Sequence, residues 1–542
     1  MAKVMIISLD GATLDLLGPW AEEGLLPNLR EVLRSSAWGR LRSTIPPVTA
    51  PAWASFQTGK NPGKHGLFHF TQYQPGSYET SLVDARTIKG RSIWQILSQG
   101  GKRIATINVP LTYPPRPVNG LMISGLLTPE PKKAFYPPDL YEEVVAAVGE
   151  YQIFIPVRSF DYLGVRRFVD QITNLAQKRT ETALYLLGKE DWDLFMVHFQ
   201  STDILQHALW AYIDPHHPHF GAKKEEDRAY VLGFYRRLDS MMGELIRRWG
   251  EERSLIILSD HGFGPAWKRL YLNRWLVEEG YLALKGELWP RLIGGAKEVV
   301  RRVDLWGLRR RLIKPRGRGE EAVERLTGSA LADWPRTRAY ALSAPCFGRI
   351  YLNHRGREPQ GTVEWEDGEG VREEIIKALY RWRDPGTGQA VIKRALKREE
   401  IYSGPQLHSM PDLVVEPVDG YMVSAEFTAG PLVEPTPRVM SGTHRMDGLL
   451  MMRGEPFLSG VEVEGASIVD LPPTILYLLG LAIPSDMDGK VLEEVFAPSF
   501  REGNPPRCEE VGEAVSEEEK GVYTEGEREE IEARLSGLGY LD

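Results

Sequence analysis

The chain has 542 residues, a formal net charge of −8 and 42% hydrophobic residues. This length exceeds what a single hydrophobic core usually fills, so we expect one large domain with an insertion, or two domains. The negative charge argues against general nucleic-acid binding. The two cysteines, Cys346 and Cys508, lie far apart in the sequence, which argues against a disulfide framework or a thiolate metal site.

The N-terminal residues MAKVMIISLDG predict a buried strand that ends at Asp10. This segment lacks an apolar region followed by a cleavage site. No uninterrupted apolar run in the chain reaches the ~18 residues that would span a bilayer. We therefore expect no transmembrane segment and a cytoplasmic protein.

Two further strand patterns end in acidic side chains, WDLFMVHFQSTD at 192–203 and SLIILSDHGFG at 254–264. Helix-like stretches such as LYEEVVAAVGE lie between them. Alternating strand and helix patterns predict an α/β fold with a mainly parallel sheet. In such sheets ligands bind at the carboxyl ends of the strands, which is where these acidic residues fall.

The sequence predicts four parts along the chain. Residues 1–264 form the first part of a catalytic α/β core, and residues 265–440 form an inserted cap subdomain. Residues 441–500 return to the core, and residues 501–542, rich in Glu, Gly and Arg, form a surface tail with one helix. The basic stretch at 301–319 is either a solvated helix face or a peripheral contact with anionic lipid or a partner.

Six acidic or histidine side chains lie at or near predicted strand ends. They are Asp10, Asp203, His207, Asp260, His261 and His444. Asp203 and His207 are four residues apart, which puts them on one face of a helical turn. Imidazole and carboxylate ligands without thiolate suit Zn²⁺ or Mn²⁺ in a catalytic site. Six ligands are too many for one catalytic metal but enough for two, an arrangement that is common in phosphoryl transfer.

The segment IPPVTAPAWASF at 45–56 contains a single threonine, Thr49, ahead of a predicted helix. Its prolines exclude a helix interior or a central strand. A threonine in this position is usually an N-cap. A nearby metal would instead turn its hydroxyl into a nucleophile. Both interpretations need Thr49 at the helix start and differ in where the hydroxyl points.

The order of these residues resembles the alkaline phosphatase superfamily, and within it the type I phosphodiesterase/nucleotide pyrophosphatase branch. The matching motifs are TGKNPGKHG at 58–66, D-x-x-x-H at Asp203 and His207, SDHG at 259–262, and G-x-H ending at His444. DLPPTILYLLGLAIPSDMDGKVL at 470–492 resembles the C-terminal signature of the superfamily. The resemblance implies an alkaline-phosphatase-like, three-layer α/β/α core with a mainly parallel sheet plus the inserted cap.

The resemblance also implies two divalent metal ions, Zn²⁺ or alternatively Mn²⁺. The implied ligand sets are Asp203, His207 and His444 for one ion, and Asp10, Asp260 and His261 for the other. Thr49 would lie next to both ions and is counted among their ligands. In the implied reaction Thr49 attacks phosphorus, and water activated at a metal then hydrolyses the phosphothreonine intermediate.

Three further residues are predicted to contact the substrate. Backbone N–H groups after Thr49, including that of Ala50, are expected to hold a phosphoryl oxygen at the positive end of the helix. Trp53 is expected to stack on a substrate ring or else to pack under the loop. Lys64 is expected to attract phosphate by its charge or else to lie on a solvated loop.

One departure from the branch concerns the residues directly after the nucleophile. Many nucleotide pyrophosphatases carry Phe-Pro-Asn there, whereas this chain has Ala50, Pro51 and Ala52. The asparagine side chain is missing, so nucleotide specificity is left open while the phosphoryl chemistry is retained.

The sequence thus predicts a metal-dependent phosphodiesterase or nucleotide pyrophosphatase acting on a small phosphate ester or a nucleotide. A phosphomonoesterase, a phosphonate hydrolase and a phosphomutase of the same superfamily are alternatives. A head-group transferase and a non-catalytic binding protein of the same fold are others, although the complete ligand set favours an enzyme. A formylglycine sulfatase is disfavoured because TAPAW lacks the C-x-P-x-R context. The natural substrate and the oligomeric state stay open.

Overall fold

A computed structural model describes residues 2–74, 76–285, 331–342, 345–427, 430–437, 440–511 and 522–541. The basic stretch at 301–319 lies outside the described residues. Among the helices of the described part, none combines the length and the apolar character needed to cross a bilayer.

The strands of the described residues are numbered in chain order. They are β1 (Val4–Leu9), β2 (Ser36–Arg42), β3 (Thr71–Tyr73), β4 (Thr80–Leu82), β5 (Ile104–Val109), β6 (Gly120–Ser124), β7 (Phe135–Tyr136), β8 (Leu194–Phe199), β9 (Ser254–Leu258), β10 (Gly262–Tyr271), β11 (Ala339–Leu342), β12 (Gly348–Leu352), β13 (Ile392–Lys397), β14 (Leu413–Pro417), β15 (Gly420–Ser424), β16 (Val433–Pro435), β17 (Gly442–Arg445), β18 (Asp447–Arg453), β19 (Glu462–Val463), β20 (Ile483–Pro484) and β21 (Cys508–Glu509).

The α-helices of the same residues are numbered in the same way. They are α1 (Leu14–Glu22), α2 (Pro27–Arg34), α3 (Thr49–Thr58), α4 (Pro62–His65), α5 (Ile93–Gln99), α6 (Leu140–Val148), α7 (Phe160–Leu187), α8 (Ser201–Ile213), α9 (Glu225–Trp249), α10 (Leu272–Glu278), α11 (Gly368–Arg381), α12 (Arg398–Ile401), α13 (Leu471–Leu478), α14 (Pro498–Gly503) and α15 (Glu525–Gly537).

A nine-stranded sheet in the order β19-β2-β18-β9-β1-β8-β5-β6-β7 forms the centre of the molecule. The run from β9 to β6 is parallel throughout, and β18 lies antiparallel between β9 and β2. Strands β1 and β8 are buried along their whole length, which is why their sequences are apolar without alternation. The predicted α/β fold with a mainly parallel sheet is confirmed.

Alternate side chains of β1 enter two separate hydrophobic cores. Met5 and Ile7 pack in the larger core, together with residues of α1, α2, α7, α8 and α9. Val4 and Ile6 pack on the opposite face with residues of α3, α5 and α13. Helices therefore cover both faces of the sheet, and the three-layer architecture agrees with the prediction.

A second sheet lies within the range 265–440 that was predicted to be an insert. This sheet is antiparallel, with the strand order β11-β12-β14-β13. Its side chains pack with those of α11 in a third hydrophobic core. Strand β10 leads from the central sheet toward this region and pairs with β15, β16 and β17. The domain boundaries themselves stay a prediction.

The end of the chain differs from the predicted surface tail. The one expected helix is present as α15, but its inner face belongs to the larger core. The buried side chains of this segment are Ile531, Leu535, Leu538 and Tyr540. The prediction of a surface tail followed the Glu-rich composition, and the acidic residues do occupy the solvent side of the same helix.

Candidate metal centre

Three neighbouring parallel strands bring carboxylates to one edge of the central sheet. Asp10 follows β1, Asp260 follows β9, and Asp203 lies in the first turn of α8 after β8. Because β9, β1 and β8 are adjacent, their carboxyl ends meet at this edge. All three carboxyl groups are completely buried.

Asp203, His207 and His444 form the first cluster, with one ligand atom of each within 4.8 Å of the others. Helix α8 places Asp203 and His207 one turn apart. Strand β17 pairs antiparallel with β10 and so brings in His444 opposite Phe263. Asp203 Oδ1 lies 3.1 Å from His444 Nε2 and 3.4 Å from His207 Nε2.

The two histidines of this cluster present lone pairs to each other. The Nε2 atoms of His207 and His444 are 3.0 Å apart. Their Nδ1 atoms face backbone carbonyls, that of Gly442 at 3.3 Å and that of Pro47 at 2.9 Å. A carbonyl oxygen only accepts, so each Nδ1 carries the proton and each Nε2 carries a lone pair. Two facing lone pairs beside a carboxylate fit a divalent cation bound between them.

Asp10, Asp260 and His261 form the second cluster. His261 Nε2 lies 3.3 Å from Asp10 Oδ1 and 3.5 Å from Asp260 Oδ2, and its Nδ1 donates to the carbonyl of Gly262 at 3.1 Å. Both oxygens of Asp10 and Oδ2 of Asp260 lack a hydrogen-bond partner among the described residues. Buried carboxylate oxygens without donors are costly, and a cation would satisfy them.

The environment shifts the pKa values of the site in different directions. Burial raises the pKa of Asp10 well above its ordinary value, and the nearby Asp260 and Asp203 add to this. Burial also raises the pKa of Asp260. Burial acts in the same direction on Asp203, but His207 and His444 outweigh it and its pKa lies well below the ordinary value. Burial lowers the pKa of His444 to about 3, so its imidazole is neutral and able to bind a metal at neutral pH.

Thr49 is the first residue of α3, and Val48 is the N-cap without a side-chain cap bond. The Thr49 hydroxyl therefore does not cap the helix. It lies 3.3 Å from His261 Nε2 and 3.3 Å from the hydroxyl of Tyr540. Ala50 follows in the first turn, where backbone N–H groups have no acceptor inside the helix. The hydroxyl and the positive end of α3 thus lie at the same edge of the sheet as the two clusters.

Two other predicted substrate contacts lie elsewhere. Trp53 is completely buried, with its ring edge-to-face against those of Phe56 and His198. It packs in the hydrophobic core on one face of the central sheet, so stacking on a substrate ring is not open to it. Lys64 forms an ion pair with Asp488. This ion pair connects the TGKNPGKHG segment with the segment 470–492, so the Lys64 ammonium group faces Asp488 and not the clusters.

Sequence reasoning missed two residues of this site. His198 Nε2 lies 3.2 Å from Asp10 Oδ2, and the hydroxyl of Tyr540 lies 2.8 Å from Asp203 Oδ2. His198 is part of the strand pattern that leads to Asp203, and Tyr540 follows a Leu-Gly pair that is typical of a helix end. These local signals predict the strand that contains His198 and the helix end before Tyr540. They do not predict that the two side chains contact Asp10 and Asp203.

Comparison with known families fits this geometry. Residues 4–447 match the family described as type I phosphodiesterase / nucleotide pyrophosphatase. The chain belongs to this family. Membership confirms the resemblance seen in the motifs and places the chain among phosphoric ester hydrolases, with two clusters as candidate metal sites. No curated protein sequence gives a significant match.

Two solved structures have a similar fold. Phosphonoacetate hydrolase from Sinorhizobium meliloti 1021, in complex with phosphonoacetate, is 17% identical with a TM-score of 0.52, and the match covers 88% of this chain and 95% of that one. Human ectonucleotide pyrophosphatase / phosphodiesterase 5 is 14% identical with a TM-score of 0.51, covering 91% of this chain and 99% of that one. At these identities the matches show a shared fold.

Proposed function

We propose that the chain is a phosphodiesterase or nucleotide pyrophosphatase that uses Thr49 as its nucleophile beside two divalent ions, Zn²⁺ or Mn²⁺. The observation that carries this proposal is the position of the Thr49 hydroxyl, 3.3 Å from a histidine of one ligand cluster, at the start of α3. The ions, when bound, supply positive charge that stabilises the attacking and leaving oxygens.

The chain's own groups then have separate tasks in two displacements. Thr49 supplies the attacking oxygen, forms an ester with phosphorus and releases the first alcohol or phosphate group. The backbone N–H groups of Thr49 and Ala50 face the negative charge that develops on a phosphoryl oxygen, and the helix dipole adds to their effect. Water then cleaves the phosphothreonine, which releases the second product and restores the hydroxyl.

The charge of the ligand clusters favours a diester over a monoester. Three carboxylates and two divalent ions sum to roughly +1 when the histidines are neutral. A phosphodiester carries a single negative charge at neutral pH and balances this sum. A monoester dianion leaves an excess of negative charge at a buried site, which is costly.

Hydrolysis of chromogenic esters with added Zn²⁺ or Mn²⁺ tests the proposal. The substrates are bis-p-nitrophenyl phosphate, the p-nitrophenyl ester of thymidine monophosphate, and p-nitrophenyl phosphate. We expect a higher kcat/KM for the two diesters. Thr49→Ala is expected to lower kcat by ~100-fold or more because the nucleophile is lost. Thr180→Ala is the matched control, since this buried hydroxyl donates to a carbonyl within α7 and lies outside the clusters.

Other outcomes would reassign the activity. Unchanged turnover in Thr49→Ala contradicts the nucleophile, and preference for p-nitrophenyl phosphate makes the protein a monoesterase. Phosphonoacetate belongs in the panel because a similarly folded protein is named for hydrolysing it. Phosphate release from phosphonoacetate alone would indicate a phosphonate hydrolase. Metal binding without any hydrolysis would favour a transferase or a binding protein.

A further inference from the structure

The last described residues of the chain reach the candidate metal centre. The hydroxyl of Tyr540 lies 2.8 Å from Asp203 Oδ2 and 3.3 Å from Thr49 Oγ. Its ring packs against Phe70, with 4.7 Å between the centroids, and against His207 at 5.8 Å. Tyr540 is buried. Tyr540 therefore touches both the proposed nucleophile, Thr49, and a proposed metal ligand, Asp203.

Hydrogen-bond chemistry fixes the direction of these contacts. A carboxylate only accepts, so the single O–H of Tyr540 donates to Asp203 Oδ2. The Tyr540 oxygen keeps a lone pair for the Thr49 hydroxyl, and the lone pair of His261 Nε2 lies at the same distance of 3.3 Å from that hydroxyl. The other oxygen of Asp203, Oδ1, is the one that faces His207 and His444. Tyr540 thus binds Oδ2 of Asp203, the oxygen that faces away from the two histidines, while Oδ1 belongs to the first cluster.

The backbone around Tyr540 is a rigid helix end. Gly539 has a φ of +82°, and its N–H donates to the carbonyl of Ser536 at 3.1 Å. The N–H of Tyr540 donates to the carbonyl of Leu535 at 2.9 Å. These two bonds form a Schellman motif, in which glycine supplies the left-handed residue. The position of Tyr540 is therefore set by the end of α15.

The helix itself is attached to loops of the central domain. Arg534 is 7% exposed and donates to the carbonyls of Thr128 at 2.6 Å and Pro129 at 3.1 Å. The hydroxyl of Tyr523 donates to the carbonyl of Leu127 at 3.0 Å. These hydrogen bonds and the buried apolar face fix α15 against the central domain.

We propose that Tyr540 is a positioning residue that fixes the Asp203 carboxylate and the Thr49 hydroxyl relative to each other. The inference rests on the proposed function, because it assigns the two partners their roles as metal ligand and nucleophile. Hydrogen bonds to the outer atoms of metal ligands orient the ligands, and their loss typically weakens metal binding by about 10–100-fold.

Metal titration of the whole protein, combined with kinetics, tests this role. Tyr540→Phe keeps the ring and removes one oxygen atom. We expect the variant to bind one Zn²⁺ or Mn²⁺ ion about 10-fold more weakly or worse by calorimetry, and to lose kcat with little change in KM. Tyr185→Phe is the matched control, since it removes a hydroxyl that donates to the carboxylate of Glu143 between α7 and α6, away from the clusters. Urea unfolding checks that both variants are folded.

A second variant tests the same idea without removing the hydroxyl. Gly539→Ala places a Cβ at a φ of +82°, and this strains the turn that holds Tyr540 at the end of α15. It is expected to weaken the binding of the same ion.

The outcomes separate the inference from the proposed function. Metal affinity and kcat equal to wild type in Tyr540→Phe would overturn the inference while the function stands. A rise in turnover would also overturn it, because the hydroxyl would then obstruct Thr49. If the wild type binds metal but hydrolyses no ester, the proposed function fails, and the metal affinity of the variants still decides the role of Tyr540. A wild type that binds neither ion overturns both.

Discussion

At the scale of single residues, main-chain carbonyls orient the three histidines of the candidate metal centre. His207, His261 and His444 each direct Nδ1 to a backbone oxygen, those of Gly442, Gly262 and Pro47. These bonds hold each Nε2 toward its cluster before any ion arrives. Because backbone positions are set by the sheet and its loops, the orientation of these three imidazoles is a property of the fold.

The two clusters share no ligand, which leads to a prediction about metal content. Asp203→Asn and Asp260→Asn each remove one charged ligand from a different cluster, so each variant should retain one tightly bound ion per chain where the wild type has two. Equilibrium dialysis against Zn²⁺ with elemental analysis measures this. Asp239→Asn is the control, because Asp239 is equally buried but accepts bonds from Asn28 and Leu29.

This control is expected to lose stability and keep both ions. Two ions in either cluster variant would show that the clusters are not the binding sites. Loss of both ions in each would show that the clusters bind cooperatively as one centre.

At the scale of elements, α3 is held at both of its ends. Its first residue lies at the candidate metal centre, and its last turn ends at Gly59, whose φ is +68°. The carbonyl of Gly59 accepts from the N–H of Asp488 at 2.7 Å, and a Cβ at Gly59 would lie 2.7 Å from Met487 Sδ. The C-terminal signature therefore buttresses the helix that presents Thr49.

Two glycine substitutions of opposite sign test this arrangement. Gly59→Ala should lower the free energy of unfolding by roughly 1–2 kcal/mol from the left-handed backbone alone, with the contact to Met487 adding to the loss. Gly233→Ala, in the middle of α9, meets only the flexible end of Arg237 at 3.5 Å and should raise stability by about 0.5–1 kcal/mol. Urea unfolding followed by circular dichroism measures both. A neutral Gly59→Ala would contradict both the backbone strain at Gly59 and the tight contact with Met487, and a loss of no more than about 1–2 kcal/mol would leave the contact without effect.

At the scale of the whole molecule, the features that sequence predicts well are local ones. Apolar strand runs that end in Asp10 and Asp260 predict both the parallel sheet and the edge where the ligands lie, because strand direction fixes that edge. His444 is different, since antiparallel pairing of β17 with β10 brings it in and only the family motif indicates it. The burial of Trp53 depends on packing against His198, which no local pattern encodes.

The packing of the C-terminal helix α15 against the larger core is the largest feature that the sequence left unpredicted. Ile531, Leu535 and Leu538 are spaced by four and three residues, so the pattern does predict an apolar helix face. What the pattern does not contain is the surface that this face covers. That surface is built from loops about 400 residues away, where Arg534 meets Thr128, and only the complete fold brings the two together.

Helix α15 covers these loops and also carries Tyr540, so its packing should affect both the free energy of unfolding and the candidate metal centre. Leu535 is completely buried, and its carbonyl accepts the N–H of Tyr540. Leu535→Ala should therefore lower the free energy of unfolding by about 2–5 kcal/mol, because it leaves a cavity under the helix. It should also weaken the binding of one Zn²⁺ or Mn²⁺ ion, since the helix end that carries the Tyr540 hydroxyl to Asp203 loses its support.

Glu529→Ala, on the exposed face of the same helix, should change neither quantity by much. Urea unfolding and calorimetric metal titration of the two variants measure both effects. A Leu535→Ala chain that loses stability but binds both ions as tightly as wild type would mean that α15 supports the fold without ordering the site.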